Sequence, residues 1–173
     1  MVSLADGAFR LRRNSYPLYD GEGARRVGGR WNSRGTRVLY MSENRSLAVL
    51  EILVHLTSSL PDKYVLGAAD IPDDIPVETV DEAALPECWQ VLNPREQLAT
   101  RRIGDEWVKR QGSAVLTVPS VIVGEWNYVL NPAHPDFARI SFAESVTFRF
   151  DVRLLTRSEW TATSEAKPQT GLI

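Results

Sequence analysis

The run LAVLEILV, from Leu47 to Val54, contains one polar side chain, Glu51, and no other feature restricts the fold of this chain as tightly. Its periodicity predicts a helix over Glu43 to Leu56, with Ser42 as N-cap and Glu43 beside the positive end of the helix dipole. Apolar residues almost encircle that helix, so other elements must cover it on several sides. Leu47, Leu50 and Val54 stand at i, i+3 and i+7 of one stripe, and the i+4 position is Glu51. An ionised carboxylate in such a place is costly without a partner, which makes Glu51 the first candidate for a functional role.

The rest of the chain supplies the cover. At 173 residues it can bury about 70% of its unfolded surface, enough for one sizeable core. Ala8 to Leu11 and Arg37 to Ser42 read as strands, and Ser15 to Thr36 between them, rich in Gly, Arg and Asn, reads as a ligand-approaching loop. Tyr64 to Ile71 and Val77 to Val80 read as strands separated by Pro-Asp turns, and Pro94 to Gln111 as a helix stopped by Gly112. VLTVPSVIV, Val115 to Val123, is β-rich and nearly all apolar, the pattern of a strand buried on both faces, with Pro119 at an edge or bulge. Asn127 to Phe137 reads as a turn-rich loop and Phe148 to Leu154 as a half-buried antiparallel strand. The expectation is one α+β domain over residues 1–173, a mixed or antiparallel sheet flanked by helices, with its core over about 9–155 and a polar tail over 156–173.

Composition removes several function classes. One cysteine, Cys88, excludes an intrachain disulfide, and with only two histidines a Cys/His metal site is not expected. No stretch approaches the roughly 18 apolar residues of a membrane span. The opening MVSLADGAFRLRR has arginines without an apolar segment behind them, so a secretory signal is not expected and the cytoplasm is the expected location. A net charge of −2 argues against direct nucleic-acid binding. The charge is uneven, however: Met1 to Tyr40 holds eight arginines against three acids, which suits an anion, while Pro61 to Gln90 holds Lys63 against eight acids.

Polar residues with apolar neighbours define the candidate site: Arg10 between Phe9 and Leu11, Tyr40 at a strand end, Glu51 on the helix, and Ser120 in the buried strand. Arg30 joins them from GGRWN, Gly28 to Asn32, where glycines free the backbone beside a guanidinium and an indole. A guanidinium next to glycine-rich backbone suits phosphate or pyrophosphate. The same residues also fit a buried Arg30–Glu51 ion pair with no ligand. Gly21 and Gly23 begin a G-x-G, but Arg26 occupies the third glycine position of the dinucleotide fingerprint, and no P-loop is present. Ser120 lacks a G-x-S-x-G elbow. His55, one turn beyond Glu51, reads as a satisfied helix histidine or a partner of that carboxylate, and His134 as a loop-fixing residue.

The ordered blocks FRL (Phe9 to Leu11), GGRWN, LYMSE (Leu39 to Glu43), AVLEILVHL (Ala48 to Leu56), VPSVIV (Val118 to Val123) and NYVLNPAHPDF closely resemble the RES domain family, from about Phe9 to Leu155. The family is named for an arginine, a glutamate and a serine, which match Arg30, Glu51 and Ser120. The resemblance implies a fold similar to ADP-ribosyltransferase toxins and a bacterial toxin that cleaves the nicotinamide–ribose bond of NAD, as a phosphorylase or a glycohydrolase. NAD is then a substrate, inorganic phosphate a co-substrate in the first case, and no cofactor is needed. The implied catalytic positions are Arg30, Tyr40, Glu51 and Ser120, and the implied NAD-binding positions are Arg10, Gly29, Trp31, Asn32 and Asn131. The implied partner is an Xre-type helix-turn-helix antitoxin, and a homodimer stays open. Two alternatives remain beside this reading: transfer of ADP-ribose to a macromolecule, and a non-catalytic partner-binding protein.

Overall fold

The computed structural model describes residues 7–56, 63–90 and 97–155. Among them, eight strands form one sheet: β1 (Ala8–Arg13), β2 (Leu39–Ser42), β3 (Tyr64–Asp70), β4 (Val77–Thr79), β5 (Val115–Pro119), β6 (Trp126–Leu130), β7 (Ser141–Phe142) and β8 (Val146–Phe148). Their order is β4-β5-β6-β2-β1-β3-β7, with β8 also pairing β3. Only β4 and β5 run parallel, so the sheet is mixed with an antiparallel core, as expected for an α+β chain. Three helices accompany it: α1 (Glu22–Val27), α2 (Arg45–Leu53) and α3 (Leu98–Arg110). No described helix is long and apolar enough to cross a membrane.

Alternating strand residues divide the apolar interior between the two sheet faces. Leu39, Met41, Val115, Tyr128 and Leu130 join one cluster, while Leu116, Val118 and Val129 join Trp31, Trp89 and Trp107 in another, under α3. All five residues of β5 are buried. Pro119 ends that strand beside Trp126, where its missing N–H costs nothing to the ladder interior, so Ser120 to Val123, expected within the strand, lie beyond it.

Helix α2 departs instructively from its sequence pattern. Its N-cap is Asn44, whose Oδ1 accepts from Leu47 N at 2.8 Å; Ser42 is instead a buried β2 residue. Leu47 and Ala48 are buried, and Val49 and Ile52 pack with Leu11 and Leu66. Of the Leu47–Leu50–Val54 stripe only Leu47 is fully buried, and Val54, past the helix end, is 48% exposed; Glu51 lies toward an open cleft instead of the core.

Three other expectations need correction. The loop over Ser15 to Thr36 contains α1, a helix of six residues that is too short to show a 3.6-residue period. Asn127 to Leu130 belongs to β6, inside the sheet; the Asn-Pro and His-Pro turn signals that follow it mask a strand. Strand β8 ends at Phe148, and Val152–Leu155 form a 3-10 turn, because Asp151 Oδ1 accepts from Arg153 N and starts a local turn. The expected tail over 156–173, and residues 94–96 of the expected third helix, lie outside the described residues.

Candidate active site

Strands β1 and β2 share one paired position, Phe9 opposite Ser42, whereas β2 and β6 share four. Residues of both β1 and β2 line a cleft of about 930 Å³, joined by the α2 residues Ala48, Glu51 and Ile52, the Gly28–Trp31 loop and Arg101 of α3. That is the upper end of the size range of small-molecule and cofactor sites, roughly 300–1,000 Å³. Arg10 spans the two strands, its Nη1 donating to the Tyr40 carbonyl.

Glu51 Oε1 accepts hydrogen bonds from Asn127 Nδ2 at 2.6 Å and from Ser120 Oγ at 3.1 Å. These partners answer the cost of a carboxylate on an apolar helix. The Arg30–Glu51 ion pair, one reading of the sequence, is not formed. Arg30 donates to the carbonyls of Trp89 and Gln90 and feels Glu51 as a charge across the cleft. Burial lowers the pKa of Arg30, and Glu51 opposes that shift. His55 is exposed at the cleft wall beyond the end of α2. His134 is the loop-fixing residue the sequence suggests, its Nδ1 accepting from Asp136 N at 3.1 Å.

Arg10, Arg12, Arg30 and Arg101 line the same cleft. Arg10 Nε is buried and has no hydrogen-bond partner. Burial, with Arg12 as a second cause, brings the Arg10 guanidinium down to about 10. Asp20 pairs with Arg12 at 3.6 Å and acts on Arg10 only from beyond ion-pair range. Arg101 donates from Nε to the Gly29 carbonyl at 2.9 Å.

Tyr40 holds the glycine loop in place. Its hydroxyl donates to Asn32 Oδ1 at 2.8 Å and accepts from Trp31 N at 3.0 Å, and burial raises the pKa of the phenol. A Cβ on Gly29 would meet that hydroxyl at 2.6 Å, so the close approach needs glycine. Beneath the loop, a Cβ on Gly104 of α3 would meet the Trp31 carbonyl at 1.7 Å.

Arg10, Gly29, Arg30, Trp31, Tyr40 and Glu51 therefore share one cleft. Ser120 touches Glu51 from a smaller adjoining cavity of about 240 Å³. Asn32 and Asn131 do not line the cleft; both are fully buried. The Asn32 amide donates to the carbonyls of Ala24, Ser33 and Thr36, and Asn131 Oδ1 accepts from Ala133 N, so both shape backbone. Sequence reasoning missed Asn127 and Arg101. Asn127 precedes turn signals that hid its strand, and Arg101 sits in the charged stretch TRRIGDEWVKR, where no periodicity singles it out.

Comparison with known proteins agrees with this architecture. The RES domain model matches residues 8–151. A "Prs ADP-ribosylating toxin" of Sphingobium sp. strain YBL2 is 36% identical over 142 residues, covering 80% of this chain and 87% of that protein. A "Toxin Res" of Photorhabdus laumondii is 37% identical over 152 residues, covering 85% and 96%. Among solved structures, a chain of the M. tuberculosis MbcT–MbcA toxin–antitoxin complex superposes with a TM-score of 0.68 at 18% identity, covering 83% of this chain and 84% of that one, a likeness of fold. With a family model spanning most of its length and relatives matched nearly end to end, the chain belongs to the RES domain family.

Proposed function

We propose that this protein is the toxin of a toxin–antitoxin pair and that it breaks the nicotinamide–ribose bond of NAD. The observation that carries the reading is the make-up of the cleft: one prearranged carboxylate, and in the same cleft a guanidinium whose buried Nε has no partner. A dinucleotide fits that combination. Its pyrophosphate takes charge-assisted hydrogen bonds from Arg10 and Arg30, and its ribose lies at Glu51.

Nicotinamide leaves as a neutral molecule, so the step needs little acid catalysis; positive charge develops on the ribose as the bond breaks. Glu51 stabilises that charge from a fixed position. Tyr40, whose hydroxyl is already committed, lines the cleft as the aromatic group that would meet the cationic nicotinamide. Water or phosphate then completes the reaction at the ribose carbon. The relatives named Toxin Res support the toxin reading, and the toxin–antitoxin complex of similar fold supports an antitoxin partner, which we propose is a helix-turn-helix protein.

The test is to incubate the purified protein with NAD, with and without phosphate, and to identify the products by mass spectrometry. Nicotinamide with ADP-ribose indicates hydrolysis, and nicotinamide with ADP-ribose 1-phosphate indicates phosphorolysis. Absence of nicotinamide under both conditions rejects the reading. The relative named as an ADP-ribosylating toxin favours one second reading, transfer to a macromolecule, for which the same experiment in cell extract would yield a modified protein or nucleic acid.

A further inference from the structure

Glu51 receives both of its hydrogen bonds on the same oxygen. Asn127 Nδ2 and Ser120 Oγ converge on Oε1, and among the described residues no group donates to Oε2. The two donors are themselves directed. The Ser120 hydroxyl accepts from Ile122 N at 3.2 Å, which leaves its proton for the carboxylate. Asn127 Oδ1 lies 2.8 Å from Ser42 Oγ. Because an ionised carboxylate can only accept, the amide must turn Nδ2 toward Glu51, Oδ1 then faces Ser42, and Ser42 must donate. Ser42 and Asn127 stand directly opposite each other in the β2–β6 ladder, so this order is built into the sheet register.

We infer that Asn127, its Oδ1 held by Ser42, is a positioning residue that locks one carboxylate oxygen of Glu51 and thereby presents the other to the ribose. The chain Ser42–Asn127–Glu51 connects β2, β6 and α2, three elements that meet at the cleft wall. Without the amide, rotation of the carboxylate exchanges its oxygens, and the charge that stabilises the developing cation is no longer held in one place. This role rests on the reading of Glu51 proposed above.

The experiment compares wild type with Asn127→Asp, Ser42→Ala and the double variant, measuring nicotinamide release across NAD concentrations. Asn127→Asp keeps the shape but replaces the donor with an acceptor against Glu51. It is expected to lower kcat about 100-fold with little change in KM. Ser42→Ala is expected to lower kcat about 2- to 10-fold by removing the donor that holds Asn127 Oδ1 and so loosening the amide. In the Asn127→Asp background the Ser42 change is expected to have no further effect, because there is no amide bond to Glu51 left to support. A merely structural pair would give additive losses and a lower Tm without this dependence. Unchanged kcat in Asn127→Asp, or additive losses, overturns the inference while wild-type turnover leaves the proposed function standing. Crystal structures of wild type and Asn127→Asp test the geometry independently of turnover: a Glu51 carboxylate that keeps the same orientation in both also overturns it.

Discussion

Two groups of residues in the cleft are built on opposite terms. Around Glu51 the anchoring bonds are already made: Ser120 and Asn127 hold Oε1, and on β2 the Tyr40 hydroxyl is occupied in both directions. On the β1 side Arg10 spends Nη1 on the Tyr40 carbonyl and leaves Nε buried and unanswered. Satisfied polar groups hold a shape, whereas an unanswered charge costs stability that a suitable anion can return. On the function proposed above, the contrast separates the residues that perform chemistry from those that select a ligand.

The sharpest way to break the comparison is Glu51→Gln. The amide preserves size but removes the charge, so nicotinamide release should fall at least about 100-fold while circular dichroism and Tm remain near wild type. Growth arrest at wild-type strength, at equal expression, would contradict the assignment.

Next in size is Arg10→Met, which keeps the apolar stem. Loss of one or two charge-assisted bonds, each about 1.5–3 kcal/mol, should raise the KM for NAD at least tenfold. Because that charge is buried without a carboxylate beside it, Tm should hold or rise. A KM that does not move would remove Arg10 from the ligand-selecting residues.

Arg10 also predicts a pH dependence. Its guanidinium is brought down to about 10 by burial, so it begins to lose its proton as pH rises through that value, and NAD affinity should decline there. The sign for folding is opposite. The unfolded chain, with the ordinary arginine value, binds more protons above pH 10, so Arg10 destabilises the free protein fully below about 10 and progressively less above it. Titrations of binding and of Tm on wild type and Arg10→Met separate the two, since both dependences should vanish in the variant.

Smallest is Tyr40→Phe, which leaves Asn32 Oδ1 and Trp31 N short of a partner. The cost should be about 1–3 kcal/mol, seen as a Tm about 2–10 °C lower, with the Gly29 loop loosened. An unchanged Tm would mean that the loop is held by other contacts.

Local features made part of this site legible in the sequence. Glu51 stands out because its neighbours along the chain are all apolar, and Ser120 because a β-rich run surrounds it. Arg30 is marked by the flanking glycines. Asn127 is equally close to the carboxylate but invisible, since its significance depends on Ser42 lying opposite it in a strand 85 residues away. Arg101 reaches the Gly29 carbonyl from 72 residues away and looks like any other charge on a polar helix. Asn32 and Asn131, marked by their motifs, lie buried away from the cleft lining, where Asn32 bonds to the backbone of its own loop and Asn131 Oδ1 accepts from Ala133 N.

By itself, the order of residues determined the α+β class, the family resemblance, the helix bearing Glu51 and the basic character of the first forty residues, because periodicity, turn chemistry and motif order are properties of neighbours along a chain. Which way Glu51 points, which arginine is left without an answer, and which asparagine binds the carboxylate were decided by the pairing of β1 with β2 and of β2 with β6. Those pairings join residues far apart in sequence, and a hydrogen bond acts over about 3 Å of space, whatever the distance along the chain.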